Sequence, residues 1–121
     1  MSSKGKNTKE LRPRLRVLCG AEIALGPGKV ELLELLAQTG SIMEAARKMG
    51  ISYMRAWTLL RTMNACFKEP LVTASRGGRA GGGAQLTKTG RRALALYHEM
   101  NEGCVKAVKL EWKELRSLLR D

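Results

Sequence analysis

Tyr53, Arg55, Thr58 and Arg61 follow a serine, Ser52, at spacings that bring hydroxyl and guanidinium groups to one side of a single helix. A hydroxyl can donate to or accept from a base edge, and a guanidinium fork matches the paired acceptors of guanine or the oxygens of a phosphate. The rest of the chain offers little that could do covalent chemistry. His98 is the only histidine and has no Cys or Ser nucleophile beside it, so it reads as a partly exposed helix residue. No carboxylate pair stands in a cleft-forming motif, and no enzyme is expected. Cys19, Cys66 and Cys104 are far apart, without a C-x-x-C pair, each in an apolar context where cysteine acts as a small hydrophobe. Neither disulfide, metal site nor cofactor is expected.

The elements that must hold this donor row lie in GSIMEAARKMGISYMRAWTLLRTMN, Gly40 to Asn64. Ser41 and Glu44 form an S-x-x-E capping box, which predicts a helix start; Ile42, Ala45, Ala46 and Met49 share one face. Gly50 stops that helix in the left-handed conformation, Ile51 plugs the turn, and Ser52 caps a second helix running to about Phe67. Ala56, Leu60, Met63 and Phe67 are its buried stripe, and Ser52, Tyr53, Arg55, Thr58 and Arg61 its open face. Trp57 borders the two faces and is assigned to packing; Met54 is ambiguous. Two helices joined in this way make a helix-turn-helix, whose second helix enters the DNA major groove with its N-terminal residues on the bases. Tyr53, Arg55 and Thr58 are the expected base readers.

Charge agrees with this assignment. Twenty-two Lys and Arg against 11 Asp and Glu give a formal net charge of +11 in 121 residues, so a polyanion is the natural partner. No apolar run approaches the ~20 residues that span a bilayer, and the N-terminus has no signal-peptide core, so a cytoplasmic protein without membrane contact is expected.

Residues 1–12 are polar and basic, without period, and read as a disordered arm able to touch phosphates. From Pro13 to Leu25, alternation of Leu15, Val17 and Cys19 with Arg14, Arg16 and Leu18 reads as a half-buried strand, punctuated by Gly20 and Gly26-Pro27-Gly28. A core helix from Pro27 to about Gln38 follows. After the recognition helix, Pro70–Thr73 and Ala84–Leu86 read as strands flanking SRGGRAGGG, in which five of nine residues are Gly and Arg76 and Arg79 are the only charges. A glycine-rich basic tip is what a wing requires, since its backbone approaches a surface closely; Gly77 and Gly78 sit between the two arginines. A phosphate-binding nucleotide loop is excluded by spacing, because G-x-x-x-x-G-K-[ST] is absent. Ser41, Ser52, Arg61, Arg76, Arg79 and Lys88 are the expected phosphate contacts.

Thr87 can cap a last helix reaching almost to Asp121, weakened at Gly90 and Gly103. About 30 helical residues make a rod of roughly 45 Å, longer than this core needs. Ala93, Tyr97, Met100, Cys104 and Ala107 form one apolar stripe, and Val105, Val108, Trp112, Leu115 and Leu119 an overlapping one. A homodimer through Tyr97, Met100, Cys104, Val108, Trp112 and Leu115 is therefore expected. The division is 1–12 arm, 13–86 winged helix-turn-helix, and 87–121 dimerisation helix: a mainly α fold with a small β-hairpin.

The signatures GS-x-x-x-AA and GISY-x-x-AW, followed by GG-x-x-GGGA-x-LT across Gly77 to Thr87, resemble the N-terminal DNA-binding domain of the ModE family of prokaryotic molybdate-responsive regulators. A looser similarity extends to the LysR-type helix-turn-helix. The resemblance covers about Leu15 to Ala107 and implies a dimeric regulator on an inverted repeat. It does not cover that family's C-terminal molybdate-binding domains, so no oxyanion site carries over. Met54 and Arg55, between the GISY and AW elements, set the base preference apart. The closing RSLLRD carries no scar of truncation and reads as the end of a natural short protein. Control is left to a separate effector-binding protein, to expression level, or to an effector at the dimer helix. The competing class is a sequence-tolerant architectural protein, for which +11 of charge alone would suffice.

Overall fold

The computed structural model describes residues 8–75 and 83–121. In chain order the elements are β1 (Val17–Cys19), β2 (Glu22–Leu25), α1 (Pro27–Thr39), α2 (Ile42–Met49), α3 (Tyr53–Ala65), β3 (Val72–Ser75), β4 (Gly83–Leu86), α4 (Lys88–Ala107) and α5 (Lys109–Ser117). Three helices and two antiparallel hairpins, β1-β2 and β3-β4, enclose one core, with α4 laid across it.

The expected single strand over residues 13–25 is instead a hairpin. Gly20 has φ of +63°, and with Ala21 it makes a two-residue reversal, pairing Cys19 with Glu22. A left-handed φ at the first turn position is what glycine supplies without steric cost. Cys19 is consequently exposed, as is Cys104, and only Cys66 is partly covered. The assignment to apolar surroundings is corrected for Cys19 and Cys104.

The core is filled by Leu32, Leu33 and Leu36 from α1, Ile42, Ala45 and Ala46 from α2, and Ala56, Trp57, Leu60 and Met63 from α3. Ala45 and Ala56, both fully buried, allow the close crossing of α2 and α3 that defines the motif. Leu71, Val72, Ala84 and Leu86 close the core from the second hairpin. That hairpin is held by two polar links. Asn64 at the end of α3 accepts from the Leu71 amide (2.9 Å) and donates to the Val72 carbonyl (3.0 Å), while the Ala84 amide donates to the Gly40 carbonyl (3.1 Å).

Thr87 caps α4 by accepting from the Gly90 amide (2.9 Å), and its hydroxyl donates to the Pro70 carbonyl (2.7 Å). Gly90 is in α4 for a reason of space: a Cβ there would stand 2.0 Å from the Leu71 carbonyl oxygen. Tyr97 is buried, and its hydroxyl donates to the Leu15 carbonyl (2.8 Å). It packs inside its own domain, not along an outer seam as its spacing suggested. His98 lies exposed on α4 with Nε2 2.8 Å from Glu34 Oε2 of α1. The expected continuous helix from Thr87 towards Asp121 is interrupted at Val108, where φ −111° and ψ 25° leave the helical region and α5 begins.

No described helix is long and apolar enough to cross a membrane. Residues 1–7 of the expected arm, and the tip residues Arg76, Gly77, Gly78 and Arg79, lie outside the described residues.

Candidate nucleic-acid interface

The turn between α2 and α3 is built as its residue types require. Gly40 (φ +67°) and Gly50 (φ +72°) end α1 and α2 in the left-handed conformation, and the Ile51 amide bonds the Ala46 carbonyl (3.1 Å). Ser41 Oγ accepts from the Glu44 amide (3.1 Å), and Ser52 Oγ accepts from the Arg55 amide (3.0 Å), so both helices have the expected caps. The capping box at Ser41 is only half made. The Glu44 carboxylate bonds Arg47 Nη2 at 2.7 Å, and the Ser41 amide donates to Thr39 Oγ1 (3.2 Å). Arg47 holds the Glu44 carboxyl below its ordinary range, first by that hydrogen bond and then by its charge. Because the cap oxygens use acceptor capacity inside the motif, each serine O–H is left to donate outward.

On α3, Arg55, Thr58 and Arg61 are exposed, and Met54, with 57% exposure, stands among them. No carboxylate pairs with Arg55 or Arg61 among the described residues. Thr58 Oγ1 donates to the Met54 carbonyl (3.0 Å), and Thr62 Oγ1 to the Thr58 carbonyl (2.9 Å). Each threonine therefore offers the outside a methyl group and a lone pair, not a free donor. Trp57 is buried in the core; Tyr53 is only half exposed and meets it edge-on, with ring centroids 6.3 Å apart and planes at 77°. Tyr53 is thus less available than its place in the open face implied.

Arg55 and Thr58 also line a cleft of about 410 Å³ between α3 and the first hairpin, together with Arg14, Arg16 and Glu22. Sequence reasoning assigned Arg14 and Arg16 no role. Their alternation with Leu15 and Val17 marked them as outward-facing, which was the available signal, but not what they face. Lys88 stands apart from this group, beside Phe67 and Glu69 at the far end of α3. Among the described residues no group of three or more His, Cys, Asp or Glu side chains could hold a metal ion.

A helix-turn-helix with an open cationic recognition face, backed by a strand pair in the position of a wing, defines a DNA-binding domain of the winged type. The model of the bacterial regulatory helix-turn-helix proteins, lysR family, matches residues 28–91, just over half of the chain, and the chain belongs to that family. What those residues carry is that family's helix-turn-helix. The chain is 42% identical over 91 residues to the molybdenum-pterin-binding protein MopB of Rhodobacter capsulatus, covering 75% of this chain and 34% of that protein. It is 46% identical over 77 residues to the molybdenum transport protein ModE of Azotobacter vinelandii, covering 64% and 28%. Against the DNA-binding transcriptional dual regulator ModE of Escherichia coli K12 the identity is 42% over 71 residues, covering 59% and 27%. The chain thus spans about a third or less of the length of these relatives.

Proposed function

We propose that the protein reads an inverted-repeat operator as a homodimer, with α3 in the major groove of each half-site and the wing on the flanking backbone. The observation that carries this is the open face of α3. Arg55, Thr58 and Arg61 stand exposed, and no described carboxylate neutralises the two arginines, so the helix offers two guanidinium groups together with the methyl group and remaining lone pair of Thr58. Arg55 and Thr58, with Tyr53 at the edge, read bases. Ser41, Ser52, Arg61 and Lys88, and the tip residues Arg76, Gly77, Gly78 and Arg79, hold phosphates.

The dimer has independent support. α5 has no buried residue, and Leu110 (79% exposed), Leu118 (76%), Leu115 (54%) and Met100 (48%) leave apolar surface along α4 and α5 that a second copy can cover. Met100, Cys104, Val108, Trp112 and Leu115 form the seam, and Tyr97 braces it from the core. Two copies about a two-fold axis place two recognition helices on a palindrome. Binding of this kind belongs in the cytoplasm, with control open to a separate effector-binding protein, to expression level, or to an effector at the dimer helix. The kinship with molybdenum-named relatives suggests the class of signal, not a site in these residues.

Selection of bound fragments from randomised duplex DNA tests the proposal. An enriched inverted repeat, with half-sites about 10 base pairs apart or a multiple of that, is expected. Retention without an enriched motif would make the protein a sequence-tolerant architectural binder instead.

A further inference from the structure

The cleft between the first hairpin and α3 is unusual in its charge. Arg14 and Arg16 from the strand side and Arg55 from α3 converge on it, with Thr58 and Thr62 along one wall and Glu22 as its one carboxylate. No described carboxylate forms an ion pair with any of the three arginines. The Lys29 amine, also at this cleft, is satisfied by the Ile23 carbonyl. Arg16 is guided into place, because its Cγ packs over Gly26, 3.4 Å from where a Cβ would stand. Three unpaired guanidinium groups around one cleft repel one another, and an anion relieves that repulsion.

The position of the cleft selects the anion. An α-helix with its side chains is about 10–12 Å across, nearly the width of the ~12 Å major groove, so a helix in the groove fills it. Whatever lies on the helix flank then meets the groove wall, which is the sugar-phosphate backbone. The first hairpin lies on the flank of α3 that carries Arg55 and Thr62. We infer that Arg14 and Arg16, on the segment that leads into the first hairpin, clamp a backbone phosphate of the duplex at the edge of each half-site, giving the recognition helix a second phosphate-holding flank. The inference rests on the proposed binding of duplex DNA by α3, and it adds an element to which no role was assigned.

The test uses the full chain, its selected duplex and a scrambled duplex, with affinity measured by fluorescence anisotropy across a salt series. In the Arg14→Gln/Arg16→Gln double variant, the slope of log affinity against log salt should become shallower by about 1.8, because each lost phosphate contact removes about 0.9. Over a fourfold rise in salt, the wild type should then lose about tenfold more affinity than the variant. The loss should be equal on both duplexes and the enriched motif unchanged, while Arg14→Lys/Arg16→Lys should keep the wild-type slope. Methylphosphonate replacement of the flanking phosphate should weaken the wild type and leave the Gln double variant unaffected, a readout that misfolding cannot imitate. An unchanged slope with intact wild-type binding would overturn the clamp while leaving the proposed function standing. Failure of the wild-type chain to bind duplex DNA would overturn both. Selective release of the duplex by inorganic phosphate at constant ionic strength would overturn the clamp in favour of a site for free oxyanions.

Discussion

Gly90 and Gly103 lie in the same helix, α4, and in sequence they carry the same message, a weak point in an otherwise helical pattern. Their replacement by alanine should move stability in opposite directions. At Gly103 nothing lies within 4 Å of an added Cβ, so Gly103→Ala gains the ordinary helix preference of up to about 1 kcal/mol. At Gly90 the Cβ would be 2.0 Å from the Leu71 carbonyl oxygen, 2.9 Å from its carbon and 3.2 Å from its Cα. These are backbone atoms and cannot swing aside. The Leu71 oxygen also accepts from the Thr87 amide (2.9 Å), and the Leu71 amide is held by Asn64, so moving the segment breaks neighbouring bonds. Overpacking of this kind costs about 3 kcal/mol and disturbed hydrogen bonds about 1 kcal/mol each, against a helix gain of at most about 1 kcal/mol. The net loss is about 2–4 kcal/mol, or roughly 10 °C in Tm for a chain of this size. Thermal and urea unfolding followed by circular dichroism, at one fixed protein concentration, measures both variants. A Gly90→Ala protein as stable as the parent would refute the close approach of α4 to Leu71.

Asn64→Ala removes the three hydrogen bonds that tie the end of α3 to Leu71 and Val72, and should cost about 2–3 kcal/mol in urea unfolding. Ser52→Ala, which strips the cap from α3, should cost about 1 kcal/mol, with Ser52→Asp restoring most of it. Arg55→Ala should lower affinity for the selected site by about 1–3 kcal/mol and relax preference at one base position, while Arg61→Ala should weaken all duplexes alike; competition assays separate the two. Leu115→Glu places a charge in the proposed seam and should shift light-scattering mass to that of one chain at micromolar concentration, with the thermal transition of the winged domain retained.

The parts of this fold legible in sequence are those written in local chemistry. Ser41, Ser52 and Thr87 cap where their spacing put them, and Gly50 takes the left-handed conformation that stops α2. The buried stripe of α3 was legible at Ala56, Leu60 and Met63 for the same reason, whereas Phe67 falls beyond the helix end and is only half buried. What escaped depends on partners distant in sequence. Alternation continues through Gly20 and Ala21, so two strands looked like one. Tyr97 has the spacing of a seam residue, yet its partner is the Leu15 carbonyl, 82 residues away. Glu44 had a choice between the Ser41 amide and Arg47, and the nearby guanidinium won. Arg14 and Arg16 were visible as outward-facing residues, but only the folded hairpin sets them beside Arg55.

Titration of one duplex carrying the enriched site and one carrying its scrambled sequence, at near-physiological salt and with binding stoichiometry recorded, tests the central claim most directly. Two chains per duplex and a preference of about 10³ or more for the enriched site are predicted. Equal affinity for the two duplexes would contradict sequence reading by α3.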